Sequence, residues 1–268
     1  LSFGAALIVL LVWSRAAKSA PKEEAAPVQN EPSRPRLAMG LAAAAGLASL
    51  AGEVLWTRVL RLVVQGTTQA FAAMLTVFLF GIAAGSLLAA PLARRFEART
   101  LFGVLQTILG VLTLGAMYVG ARLPQVVMLI QGETVVVPHE ASVVLGAAMV
   151  LLLPLAIALG TSIPIAWRIA GGSADEAARN SGRVLAANTL GGLVGSLLAG
   201  FALVPLLGVA RSIGFLAFLH FGIATAAFVA KAMAKPIVAY RDFASVLPLA
   251  FGAVALISPP DLHLPYLL

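Results

Sequence analysis

The side chain best placed to do chemistry in an apolar environment is Glu53. It lies well inside a long apolar segment, where an ionised carboxylate is costly unless a partner or a cavity replaces its hydration. Thr57, Arg58 and Arg61 follow within the next turns, so an ion pair at the helix end or with a neighbouring helix is the structural interpretation. The functional interpretation is a substrate or proton site, with Glu53, Trp56 and Arg58 as candidate binding residues.

Asn188 joins these candidates from a later apolar segment. An amide just inside such a segment hydrogen-bonds readily to a neighbouring helix and contributes about 1 kcal/mol or less. Two interpretations of Asn188 therefore stand side by side, a contact between helices and a part of a substrate site.

Residue patterns for catalysis, metal binding or cofactor binding are missing from the sequence. His139, His220 and His263 have no second imidazole or carboxylate at metal-ligand spacing, and the chain has no cysteine. The glycine-rich run at 190–195 lies inside an apolar segment with no preceding strand, so it does not indicate a nucleotide loop. We predict no metal, no cofactor and no enzymatic activity of this chain.

Composition indicates that lipid, and not water, surrounds most of the protein. Hydrophobic residues make up 60% of the 268 residues and charged residues only 11%, whereas about a quarter of the residues in soluble domains are charged. The apolar runs are continuous and not alternating, which favours helices over a barrel. They predict an all-α, polytopic transmembrane helix bundle of about seven or eight helices, transporter-like in character.

The domain organisation follows from where the apolar runs begin and end. Residues 1–14 are predicted as a partial transmembrane helix, 15–36 as a flexible linker rich in Ala, Pro, Glu and Lys, 37–258 as the bundle, and 259–268 as a tail or the start of a following segment. Within the bundle we predict the segments 37–63, 69–92, 100–120, 140–167, 184–207, 212–230 and 243–258.

Two features interrupt this pattern. A longer loop is predicted at 121–139. Pro154 and Pro164 remove backbone donors from the segment 140–167 and should kink or break its helix. The run 160–164 is predicted as a simple kink, with an unwound segment that lines a transporter site as the alternative.

The lysines and arginines are unevenly distributed between the two predicted sides of the membrane. If the segments cross in alternation, fourteen of the eighteen lysines and arginines fall on one side. The positive-inside rule then places the linker 15–36 in the cytoplasm and the bundle in the cytoplasmic membrane. Because the net charge of +7 comes from segment ends, it does not indicate nucleic-acid binding.

Small residues recur about every four positions along three segments, which lets helix backbones approach closely in lipid. This predicts helix packing, or alternatively a sliding interface between two bundles of a transporter. The packing residues predicted are Gly40, Gly52, Gly81, Gly85, Gly191, Gly192, Gly195, Ser196 and Gly200.

Three stretches of the sequence are similar to one known family. They are Ala-Gly-Glu-Val-Leu-Trp-Thr-Arg-Val-Leu at 51–60, Leu-Thr-Val-Phe-Leu-Phe-Gly-Ile-Ala-Ala-Gly-Ser at 75–86, and the glycine-rich block at 182–208. Together they resemble the bacterial fused major-facilitator-like/spermidine synthase family. The chain resembles the last helix of the family's first membrane half, its linker and its second membrane half, without the soluble synthase domain.

The resemblance implies a non-catalytic module of a transporter-like protein. Such a module would either anchor a polyamine synthase-like domain or bind and translocate a cation such as spermidine, with Glu53 contacting an ammonium group. The alternative is a structural or accessory subunit that packs within a larger membrane complex and transports nothing, which the scarcity of intramembrane acids favours.

Overall fold

The computed structural model describes residues 33–64, 68–131 and 141–232, and within these ranges all regular structure is helical. The predicted helix 1–14, most of the linker 15–36, and the segments 243–258 and 259–268 lie outside the described residues. The helices are α1 (Pro35–Val64), α2 (Thr68–Arg95), α3 (Ala98–Gln131), α4 (Ala141–Ala170), α5 (Ala174–Leu198) and α6 (Val204–Ala232), with a π-helical turn at Ala199–Leu203 between the last two.

α1 and α5 run in the same direction and lie very close together. A methyl group added to Gly191 would meet the backbone of Ala43, and one added to Gly195 would meet the backbone of Leu47, one turn further along both helices. Only glycine permits such an approach, because any Cβ at these positions would overlap the neighbouring backbone.

α2 and α4 are parallel in the same way. Thr161 Oγ1 on α4 donates to the carbonyl of Gly85 on α2 at 3.0 Å, and two turns later Arg168 donates to the carbonyl of Ala93. These two hydrogen bonds fix both the register and the direction of the pair.

α3 and α6 run in opposite directions. Phe228 lies 2.7 Å from the position that a Cβ on Gly103 would occupy, and Phe221 lies 2.6 Å from that position on Gly110. Later residues of α3 therefore meet earlier residues of α6, and glycine makes room for each ring.

The chain must reverse between α5 and α6. α1 and α3 are parallel, since Gly52 and Leu109 line one cavity and Val59 and Gly120 approach each other further along both helices. As α5 follows α1 and α6 opposes α3, α5 and α6 point in opposite directions. The backbone departs from helical geometry at Gly208 (φ 75, ψ 170), a conformation that glycine adopts without steric cost.

Five stretches of the described residues are long and apolar enough to cross a membrane. The last, Glu176–Ala230, has 55 residues, and a straight helix of that length would extend about 80 Å, far beyond the roughly 30 Å of a hydrocarbon layer. The break at Gly208 divides it into two antiparallel helices, so the described chain has six long helices. The total of about seven or eight stays a prediction, because it includes segments outside the described residues.

The six helices form two triplets, α1–α3 and α4–α6, that are inverted relative to each other. α1 packs on α5 and α4 packs on α2, while α3 packs on α6, so exchanging the triplets maps these pairs onto one another. α1 and α4 are antiparallel, because Ser33 Oγ before α1 donates to the carbonyl of Ala170 at the end of α4 at 2.6 Å. Two halves related in this way form an inverted repeat.

The helix directions also separate the arginines of the described residues. The end where α1, α3 and α5 begin carries Arg34, Arg36, Arg94, Arg95, Arg99, Arg168, Arg179 and Arg183, and the opposite end carries Arg58, Arg61, Arg122 and Arg211. The alternation used in the sequence analysis sorts these residues in the same way.

Two helix boundaries differ from those predicted. α3 continues to Gln131 through the first part of the predicted loop 121–139. α5 begins at Ala174, ahead of the apolar segment, because the backbone N–H of Ser173 donates to Glu176 Oε2 at 3.2 Å in a capping box that starts the helix early.

The two prolines leave α4 continuous from Ala141 to Ala170. Pro164 cannot donate to the carbonyl of Gly160 one turn earlier, but Ser86 Oγ on α2 donates to that carbonyl at 3.2 Å. A neighbouring helix thus satisfies the group that the proline frees, which is how membrane helices tolerate proline.

The predicted packing residues fall into three groups. Those on the contact faces of neighbouring helices are Gly52, Gly81, Gly85, Gly191, Gly192 and Gly195. Gly40 and Gly200 differ from the prediction, because a Cβ there would meet no atom within 4 Å outside its own helix. Ser196 bonds within α5, its Oγ donating to the carbonyl of Leu193 at 2.9 Å.

The reversal at Gly208 predicts that Arg95 and Arg211 lie on opposite sides of the membrane. The chain has no cysteine, so Arg95→Cys and Arg211→Cys each introduce a single thiol at an exposed position. A membrane-impermeant maleimide should label one variant in sealed right-side-out vesicles and the other in inverted vesicles. Labelling of both from the same side would contradict the antiparallel arrangement of α5 and α6.

Close packing at Gly191 predicts a large effect from a single methyl group. Gly191→Ala should destabilise the folded protein by about 1–3 kcal/mol, as overpacking of a tight contact does, and should lower the unfolding temperature in detergent. Gly182→Ala on the same helix is the matched control, since a Cβ at Gly182 meets no atom within 4 Å outside its own helix. Equal unfolding temperatures of the two variants would show that α1 and α5 do not approach as described.

Candidate functional site

Three polar side chains are buried between α3 and α6. Gln106 and Thr113 are 0% exposed and His220 is 2% exposed. Gln106 and Thr113 are two helical turns apart on α3, which puts them on one face of that helix. Gly110, between them, admits the ring of Phe221, so α6 comes close enough for His220 to reach the same face.

A hydrogen bond defines the state of the histidine ring. His220 Nδ1 lies 2.8 Å from Gln106 Oε1, and an amide oxygen can only accept a hydrogen bond. Nδ1 therefore carries the proton, and in the neutral ring Nε2 holds a free lone pair. Within the described residues, two further buried atoms beside this contact, Gln106 Nε2 and Thr113 Oγ1, have no hydrogen-bond partner.

A small cavity is lined by His220, Thr113 and Glu53. Its volume is about 20 Å³, enough for about one water molecule. α1 contributes Ser49, Glu53 and Trp56, α3 contributes Thr113, and α6 contributes His220. Leucines of α3, α4 and α6 and a phenylalanine of α2 complete the wall, so the polar groups face one another across an otherwise apolar space.

The carboxylate of Glu53 has no ion-pair or hydrogen-bond partner within the described chain, although the side chain is partly buried. Its backbone carbonyl accepts a hydrogen bond from Thr57 Oγ1 at 2.7 Å. Arg58 and Arg61, the nearest basic residues in the sequence, are exposed. The structure thus shows neither of the ion pairs that would explain Glu53 as a purely structural residue.

The structure brings together some of the predicted site residues and separates others. Glu53 and Trp56 line the cavity. Arg58 is exposed on α1 outside the cavity. Asn188 lies on α5 with its backbone carbonyl against Gly46 of α1, at a contact between helices and away from the cavity lining.

Gln106, Thr113 and His220 were not among the residues predicted for the site. His220 was considered only as a metal ligand, and the described residues contain no group of three potential ligands; His139 and His263 lie outside the described residues. A usable signal was present nonetheless, because polar side chains in the middle of membrane segments are rare and usually face the bundle interior.

Searches for similar proteins returned no matching family model, no matching curated protein and no matching solved structure. The resemblance to the fused major-facilitator-like/spermidine synthase family therefore rests on the three sequence stretches alone.

The unpartnered hydroxyl of Thr113 leads to a prediction about stability. Thr113→Val keeps the shape of the side chain and removes a buried polar group, so the protein should unfold at the same temperature or a higher one. Thr161→Val is the matched control: Thr161 is equally buried, but its hydroxyl bonds to Gly85, and its loss should cost about 1 kcal/mol. Thermal unfolding in detergent measures both, and a larger loss for Thr113→Val would show that its hydroxyl does have a partner.

Proposed function

We propose that this chain is the non-catalytic membrane module of a transporter-like protein and that it binds a cationic small molecule through Glu53. The observation that carries the proposal is the unpaired carboxylate at a cavity inside the bundle. A carboxylate at this depth is costly to ionise without a partner of opposite charge. A bound cation would remove that cost, which gives the site affinity and selectivity for positive charge.

The position of the cavity supports this proposal. Residues from both triplets line it, since α1, α2 and α3 belong to the first triplet and α4 and α6 to the second. In transporters with inverted repeats, substrate and ion sites lie near the membrane midplane where the repeats meet. Glu53 lines a cavity to which both triplets contribute, and this supports a binding site there.

The size of the cavity limits what the described arrangement can hold. A space of about 20 Å³ admits a group the size of one water or one ammonium, not a whole polyamine. A longer amine requires an open state. The glycine contacts hold α1 to α5 and α2 to α4, so we propose that opening moves α3 and α6, whose mutual contact uses rotatable phenylalanine side chains.

The chemical class of the cation and the cellular setting are proposed from the sequence. The resemblance around 51–60 suggests a polyamine such as spermidine, and it suggests a synthase-like domain as a partner. The arginine-rich end of the bundle is proposed to face the cytoplasm of a bacterial cell, according to the positive-inside rule.

A structural or accessory role within a larger membrane complex is the second candidate. The close contacts between helix backbones at glycine favour this role. So does the scarcity of acidic residues, since Glu53 is the one acidic residue in the apolar part of the described helices. Ion-coupled carriers usually keep several ionisable groups along their path. Purification from the native membrane in a complex of fixed stoichiometry, with no binding of cations, would favour this role.

Cation binding provides the direct test. Isothermal titration of spermidine into the detergent-purified chain should show binding that Glu53→Gln weakens about 10- to 100-fold, as loss of a charge-assisted contact does. Glu176→Gln is the matched control, because Glu176 is exposed at the beginning of α5 and glutamine preserves its capping box. Equal affinities of the wild type and Glu53→Gln would remove Glu53 from the site.

A further inference from the structure

We infer that Glu53 and His220 act as one proton-exchange site: the empty cavity holds a single proton shared between them, and an entering cation displaces it. The exchange with a cation rests on the proposed function, whereas the shared proton does not. The sequence does not indicate that Glu53 and His220 form a pair, because they lie far apart in the chain.

Glu53 and His220 reach the same small cavity from different helices, α1 and α6. The other residues lining it are apolar or, like Ser49 and Thr113, carry uncharged hydroxyls. The other described titratable groups on the helices packed around His220 do not line the cavity. They are Arg36, Arg58 and Arg61 on α1, Arg99, Tyr118 and Arg122 on α3, and Arg211 on α6. Glu53 and His220 are thus the two titratable groups that face each other there.

The ring of His220 is oriented to receive a proton at Nε2. Its Nδ1–H donates to Gln106 Oε1, so in the neutral ring the lone pair that can accept a proton is on Nε2. The cavity has room for about one water. A water there could be held by the hydroxyl of Thr113, whose Oγ1 is otherwise unpartnered, and could carry a proton between the carboxylate and the imidazole.

Charge balance explains why proton and cation exclude each other. In the empty state, the one proton shared by the carboxylate and the imidazole balances the carboxylate charge, so the site is neutral. When an ammonium ion R–NH₃⁺ enters, it pairs with the carboxylate; the N–H bond at Nε2 breaks, the electron pair stays on nitrogen, and one proton leaves. The site is again neutral. A site that kept both positive charges would be penalised strongly at low dielectric.

Histidine-ring nitrogen NMR can test the shared proton directly. The chain has three histidines, so His139→Asn with His263→Asn leaves His220 as the single imidazole. We expect the neutral ring to show the Nδ1–H tautomer, and Gln106→Leu to change it to a mixture. The protonated fraction of His220 is then compared between the wild type and Glu53→Gln, at a pH where the wild-type ring is partly charged. It should be at least about threefold lower in Glu53→Gln, because that variant lacks the carboxylate that stabilises the charged ring. An Nε2–H tautomer, or equal protonation with and without the carboxylate, would overturn the pairing.

Proton release tests the exchange step. Addition of spermidine to the weakly buffered protein should release protons, detected with an indicator dye, in proportion to the cation bound by calorimetry, and His220→Gln should bind the cation without releasing them. Binding with no release in the wild type refutes the exchange and leaves the proposed function standing. Absence of binding refutes the proposed function, while the NMR comparison still decides whether Glu53 and His220 share a proton.

Discussion

The close approach of helix backbones at glycine is the interaction on which the rest of the described structure depends. Lipid offers no hydrophobic drive for one apolar helix to join another, so association requires dense packing and a few polar contacts. Gly191 and Gly195 bring α5 onto α1, and Gly85 and Gly160 bring α4 onto α2. Each of these helix pairs joins one helix from the first triplet to one helix from the second. The same contacts therefore assemble the bundle and set the inverted arrangement of its halves.

The polar interior follows from this scaffold. With α1 and α4 held in place, α3 and α6 close the bundle through phenylalanine rings seated on glycines, and this brings Gln106 to His220 across a long separation in the chain. Buried polar groups without partners are few in folded proteins and call for an explanation. Here, one of them, the Thr113 hydroxyl, lines the same cavity as Glu53, whose carboxylate has no ion-pair partner within the described residues.

The polar ends of the helices serve a different purpose. Ser86 and Thr161 satisfy backbone groups across α2 and α4, and Arg168 bonds to the carbonyl of Ala93. These contacts fix the register of α2 against α4, and they allow α4 to continue through Pro164. Because six helices cross in alternation, every second connection lies on the same side, and most of the arginines of the described residues lie in those connections. Such a charge bias orients a membrane protein.

The sequence by itself determined that the chain is a membrane-type helical protein and how its basic residues alternate, and it predicted Glu53 and Trp56 as site residues. Length and hydropathy suffice for this, because a bilayer imposes a minimum apolar run. The tertiary structure alone decided which helices pair, that the chain reverses at Gly208, that His220 joins the site, and that Arg58 and Asn188 do not. A membrane helix is apolar on its lipid face and its protein face alike, so its sequence carries little record of which side meets a neighbour.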